Sequence, residues 1–119
     1  METRAERGVR GERAAARHLR RRGWTILATR WRGGGGELDL VAARGRVVAV
    51  CEVKTRADDG ALAEPLTAAQ RGRMARAARA FLARRPELAG HEVRLDLIAV
   101  RAGRLRARVR HRPGAAGPP

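Results

Sequence analysis

GELDLVAARGRVVAVCEVK fills residues 36–54, and its alternation decides the fold. Two apolar runs, 37–43 and 46–54, flank Arg44-Gly45, a pattern that predicts antiparallel strands joined by a tight hairpin. Side chains on a strand alternate with period two, so Glu52 and Lys54 share one face. With a two-residue Arg44-Gly45 loop, residue 43 opposes 46, Asp39 faces Val50 and Glu37 faces Glu52. Asp39 then lies diagonal to Glu52 on the same face, with backbones about 7–8 Å apart. A loop one residue longer would reverse the parity and part them.

Working outward, Thr3 and Glu6 form a T-x-x-E capping box and Gly23 supplies a stop, which predicts a helix over 4–22. Ala5, Val9, Glu12, Ala16 and Leu19 fall on one helical stripe, so Glu12 interrupts the face expected to meet the core. A carboxylate there is costly without a partner. Residues 24–31 read as a strand and RGGGG (32–36) as a turn or flexible loop. The segment 55–66 has no period and reads as a loop. Thr67 and Gln70 open a second helix, which Pro86 ends, with Met74, Ala77, Ala78 and Phe81 as its apolar stripe and Gln70 in line. Strands follow at 91–101 and 104–111. The tail 112–119 reads as disordered.

Three carboxylates on one sheet face, Glu37, Asp39 and Glu52, repel one another unless a cation sits among them. Hard oxygen ligands of this kind suit Mg²⁺ or Mn²⁺. Glu12 completes the set if the first helix packs over this sheet. The competing reading is a solvated face laced with cross-strand ion pairs.

Composition bounds the rest. The 119 residues allow one domain, and 27 Lys or Arg against 12 Asp or Glu leave a net charge of +15. Such a charge on a small chain favours polyanions, nucleic acid above all. No apolar run approaches the roughly 20 residues of a membrane span, and no signal segment follows the N-terminus, so a cytoplasmic protein without a membrane partner is expected. One cysteine, Cys51, rules out an internal disulfide framework, and with three scattered histidines it also rules out a zinc finger. Cys51 faces away from the carboxylates and reads as core; the histidines read as surface groups. The glycine run lacks a following G-K-[ST], which excludes a phosphate loop. One Phe, two Trp and no Tyr are too few aromatics for a base-stacking sheet. Trp24 and Trp31 read as packing anchors, and Arg94 with Asp96 as a structural pair. Of the 27 basic residues only Lys54 is a lysine, which suggests that position 54 needs a compact ammonium. Arg104, Arg106, Arg108 and Arg110 alternate along the last strand, either protecting an edge or contacting phosphates.

GELDLVA followed by VVAVCEVKTR resembles the D-(x)n-E-x-K core of the restriction-endonuclease-like nucleases. RGERAAARHLRRRGWTIL, WRGGGGELDLVA, CEVKTR and VRLDLIAV, in that order across roughly residues 8–101, resemble the YraN family of small uncharacterised bacterial proteins. That family is similar in layout to the archaeal Holliday junction resolvases. The resemblance implies an α/β fold: an αβββαβ core with a mixed sheet flanked by two helices, plus a C-terminal strand, in one nuclease-like domain over 1–111. It also implies a metal-dependent endonuclease acting on DNA, branched DNA included, with Glu12, Asp39, Glu52 and Lys54 at the reaction centre. Asp39, Glu52, Glu12 and the Val53 carbonyl would bind the ion, Mg²⁺ or Mn²⁺, and Lys54 would orient water or offset charge on the phosphate. Gln70, Arg56, Arg73 and the arginines at 104, 106, 108 and 110 are the candidate nucleic-acid contacts. Two departures stand out: Arg30, where relatives often have Asn, and Gln70, where they often have Lys. Junction resolvases cut two strands as two-fold assemblies, which leaves a homodimer open here. The rival readings are a non-catalytic nucleic-acid-binding protein and a basic protein bound to the ribosome.

Overall fold

Thr3 and Glu6 exchange side-chain to backbone hydrogen bonds of 3.0 and 3.1 Å, satisfying two orphan amides and starting helix α1, Arg4–Arg21. The computed structural model describes residues 1–58, 60 and 64–119. Strands β1 (Thr25–Gly33), β2 (Gly36–Arg44) and β3 (Val47–Arg56) follow. Helix α2 (Ala68–Ala83), a short 3₁₀ turn (Pro86–Leu88), β4 (Glu92–Ala102) and β5 (Ala107–Arg112) complete the chain. This is the expected αβββαβ order with one further strand. Of the expected loop 55–66, Thr55 and Arg56 extend β3, and Asp59 and Ala61, Leu62 and Ala63 lie outside the described residues.

The strands form one sheet in chain order, antiparallel except for the parallel β3–β4 pair. A parallel pair needs a crossover, and α2 supplies it. The two helices cover opposite faces. Under α2 lie Leu38, Val41, Val48, Val50, Leu95 and Leu97, with Met74, Ala77, Ala78 and Phe81 as the expected helical stripe. Under α1 lie Leu40, Ala42, Ala49, Cys51, Ile98 and Val100. Cys51 is core, as its parity requires.

Several local readings change. The β2–β3 turn is Gly45-Arg46, with Arg44 opposite Val47, because Gly45 takes the φ of +59° that the first position of such a turn demands. The register moves by two residues, so the parity survives and Asp39 comes level with Glu52 instead of diagonal to it. The buried face of α1 centres on Gly11, Ala15 and Leu19, leaving Glu12 at its margin. Small residues let the helix settle close to β3: any Cβ at Gly11 would press on the Thr55 side chain. The last strand starts at Ala107, so Arg104 and Arg106 precede it.

The start of the tail is also ordered. Ala116 is fully buried and donates its amide to the Leu95 carbonyl at 3.2 Å. Asp96 holds this end together. It takes two bonds from Arg94 (2.8 and 3.0 Å), one from the Gly114 amide (2.8 Å) and a 2.6 Å contact with His111 Nε2. His111 is therefore no surface group; its ring also meets Trp24 edge-on. Burial alone would push Asp96 up, but the bonds from His111, Arg94 and Gly114 outweigh it and hold the carboxyl below its ordinary range. The Arg94–Asp96 pair is structural.

Because the Asp96 pKa is lowered on folding, its contribution is present above the ordinary value of 3.8 and fades as pH falls through the lowered one. Asp96→Ala would strand Arg94 and His111, and the expected loss is about 3 kcal/mol, read as a lower urea midpoint at neutral pH with an unchanged slope. At a pH well below 3.8 the two proteins should differ much less.

Candidate metal centre

The β2–β3 ladder is paired from Arg44↔Val47 to Leu40↔Cys51 and then stops. Beyond that point β2 stays paired with β1 and β3 with β4, so the two central strands part within the sheet. Asp39 stands where they part. Its Oδ2 accepts the Val53 amide at 2.7 Å, a side-chain bond in place of the next ladder bond. Asp39 and Glu52 are within hydrogen-bonding reach of each other. Lys54 Nζ lies 4.0 Å from Glu52 Oε1, with its side chain only 13% exposed.

On the α2 side, Glu37, Asp39 and Glu52 line a hollow of about 300 Å³ with Leu66, Gln70, Arg73 and Met74. Glu12 comes to the same gap from the α1 side, where it lines hollows with Leu40 and with Val53 and Thr55. Its charge is felt at both Asp39 and Glu52. Its carboxylate is occupied, however: Oε1 accepts from Arg30 Nε at 2.7 Å. Glu37 pairs with the exposed Arg32 at 3.2 Å.

Burial pushes Asp39 up, the adjoining Glu52 and Glu12 charges add to that, and the Val53 amide only partly offsets them; the carboxyl is pushed up to about 8. Burial raises Glu52 as well, against the opposing pull of its bond with Asp39 and of the Lys54 ammonium. At neutral pH the pair therefore holds a proton in common. Two hard carboxyls that cannot both ionise, beside a hollow and an ammonium, form a donor set that fits Mg²⁺ or Mn²⁺, because such an ion would replace the shared proton.

A second group of potential ligands, Cys51, Asp96 and His111, lies on the α1 side with ligand atoms within 4.8 Å of one another. Asp96 already has both oxygens committed to Arg94, Gly114 and His111, so that cluster is a structural knot.

The candidate nucleic-acid contacts separate. Gln70 and Arg73 flank the carboxylates, although Gln70 Oε1 is spent on the Thr67 amide at 2.8 Å. Arg56 ends β3 and pairs with Glu64 at 2.7 Å. Arg108 and Arg110 are exposed on edge strand β5, two strands or roughly 10 Å from β3. Arg104 and Arg106 stay exposed outside any strand. Sequence reasoning missed the Arg30–Glu12 pair: Arg30 is noticed there only as a departure from relatives, and its backbone conformation leaves no mark in the hydrophobic pattern.

The sequence profile of the uncharacterised protein family UPF0102 matches residues 11–100. The chain belongs to this family. It is the YraN family, as the motifs led one to expect. A UPF0102 protein of Paramagnetospirillum magneticum is 50% identical over 113 residues, covering 92% of this chain and 85% of its own. One from Mycolicibacterium vanbaalenii is 43% identical over 120 residues, covering 97% of both chains. One from Dinoroseobacter shibae is 45% identical over 100 residues, covering 83% and 75%. The UPF0102 match takes in Glu12, Asp39, Glu52 and Lys54 alike. Among the described residues no helix is long and apolar enough to cross a membrane.

The raised Asp39 pKa makes a sign-definite prediction about the metal-free protein. Below the ordinary value of 3.8 the group is neutral whether folded or not; between there and about 8 the unfolded chain ionises first, so stability is lost as pH rises through that window. Asp39→Asn should therefore raise the melting temperature above pH 8, by about 1–3 kcal/mol in stability, and leave it nearly unchanged near pH 4. Melts with chelator present check this.

Proposed function

We propose that this UPF0102 protein is a metal-dependent phosphodiester hydrolase acting on DNA, branched DNA included. The observation that carries the reading is the Asp39–Glu52 pair: two carboxyls level on adjacent strands, both raised by burial and neighbouring acids, with Lys54 alongside. A structural ion-pair network would have matched each of these acids to a base. Here Glu52 has Lys54 at 4.0 Å, whereas Asp39 faces another acid.

Asp39, Glu52 and the Val53 carbonyl would hold Mg²⁺ or Mn²⁺, with Glu12 as an outer ligand. When bound, such an ion supplies a Lewis acid for the phosphate and lowers the pKa of a nearby water. Asp39, fixed by the Val53 amide, sets where that happens relative to the sheet. Lys54 is tethered 4.0 Å from Glu52, where its ammonium can orient an attacking water or offset charge growing on the phosphate oxygens. Arg73, beside the hollow, is placed to meet a neighbouring phosphate. The net charge of +15 brings the polyanion to the surface. That charge is also all that a non-catalytic binding protein, on DNA or on the ribosome, would need.

Cleavage of branched, duplex and single-stranded DNA, with Mg²⁺ or Mn²⁺ and with chelator, decides between them. Metal-dependent cutting that Glu52→Ala lowers by about 10³-fold or more supports the hydrolase. DNA binding without cutting, and without a calorimetric Mn²⁺ signal, selects the binding protein. Because the ion must displace the shared proton, Mn²⁺ affinity should fall about tenfold per pH unit below about 8. Binding to duplex should weaken with salt, with a log–log slope of roughly −0.9 per phosphate neutralised.

A further inference from the structure

Arg30 holds a backbone conformation that side-chain-bearing residues adopt reluctantly. Its φ is +49°, and it is the one non-glycine residue with positive φ among the described residues. It interrupts the middle of β1, between Thr29, paired with Leu40, and Trp31, paired with Leu38, and so stands level with Asp39. From that kink its guanidinium meets Glu12 on α1, Nε to Oε1 at 2.7 Å. The Arg30 side chain is half exposed, while that of Glu12 is 22% exposed. Glu37 and Asp39 are its other acidic neighbours. A strained, solvent-facing arginine thus caps the one ligand candidate that comes from outside the sheet.

On this geometry, and resting on the metal reading above, we propose that Arg30 is a positioning residue that competes with the divalent ion for Glu12. While the guanidinium holds the Glu12 carboxylate, that oxygen is withheld from the Asp39–Glu52 pair, and full coordination requires Arg30 to let go. A guanidinium stays charged at every working pH, so the competitor is permanent and does not titrate away. Its bond to Glu12 is short and charge-assisted, which makes the competition directional as well as electrostatic. Unlatched, Arg30 remains at the hollow on the α1 side that it lines with Glu12 and Leu40, as a cation available to the incoming phosphate. The left-handed backbone is what lets a β1 side chain cross to α1, so the strain and the latch are parts of one arrangement.

Calorimetric titration with Mn²⁺, all at one fixed pH, tests the idea on four full-length proteins: wild type, Arg30→Asn, Glu12→Gln and the double variant. Asparagine tolerates the left-handed conformation, so Arg30→Asn should fold, and circular dichroism melts confirm it. Arg30→Gln, a shorter side chain that is polar without charge, is the second probe and should tighten binding in the same direction. With Glu12 present, Arg30→Asn should tighten Mn²⁺ binding about 3- to 10-fold. In the Glu12→Gln background the same change should have an effect within about twofold, since the contested carboxylate is gone. Equal tightening in both backgrounds would mean that Arg30 acts only as a nearby charge, and would overturn the proposal. No tightening at all overturns it too. Mn²⁺ binding by Arg30→Asn but not by wild type would support the latch in its strongest form. Binding by none of the four overturns the latch and the metal reading together, whereas binding by wild type without coupling to Glu12 overturns the latch alone.

Discussion

Two carboxyls drawn partly out of water on adjacent strands cannot both ionise unless a cation comes between them. Asp39 and Glu52 are in that position, and the surrounding structure keeps them there. Strand pairing brings them level, the parting of β2 from β3 gives them room, and the Val53 amide fixes one of them in place. Relieving the repulsion would have been simple for a chain so rich in arginine. Two of its guanidiniums go instead to Glu12 and Glu37. The proposed metal site rests on these two raised carboxyls with one ammonium beside them.

Holding such a pair takes a scaffold that does not yield. β3 is the middle strand of five, covered by α1 on one face and by the α2 core on the other. Gly11 and Ala15 let α1 approach closely enough for Glu12 to reach the gap. Midway along the parallel β3–β4 pair, level with Cys51, Asp96 ties Arg94, His111 and the start of the tail into one hydrogen-bonded knot. The two acidic centres contrast in a way that explains both. Asp96 has four donors and is held low; Asp39 has one amide and an acidic neighbour and is pushed high. One carboxyl is satisfied and structural. The other is the one that the proposed metal site would use.

How much of this the sequence discloses depends on the length scale of the cause. Period-two alternation and two capping boxes are local signals, and from them the strands, both helices and the shared face of Asp39, Glu52 and Lys54 are legible. The hairpin register misplaces Asp39 by two residues, because Arg44-Gly45 and Gly45-Arg46 are equally good turns on paper and only cross-strand packing chooses. Parity survives that error, and so does the cluster. The α1 stripe is misjudged because a helix wheel counts apolar side chains, whereas the buried face here is built from smallness at Gly11 and Ala15. His111 and the tail escape notice because their partner, Asp96, lies 15 and more residues away, and nothing local records that contact. Arg30 is the hardest case: its role depends on a backbone dihedral, which neither charge nor hydrophobic pattern records at an arginine.

The lone lysine closes the argument from composition to site. Twenty-six arginines against one lysine describe a chain in which substitution toward arginine is nearly complete. Lys54 resists at a position where its side chain is only 13% exposed, facing a carboxylate of the central pair. A guanidinium there would form a planar fork onto Glu52 and bind both of its oxygens, satisfying the carboxylate and removing it as a ligand. An ammonium at 4.0 Å offsets charge without capturing the geometry. The same contrast appears at Glu12, where an arginine is present and does capture the carboxylate. Around this centre, then, arginines take Glu12 and Glu37, and the ammonium of Lys54 stands beside Glu52.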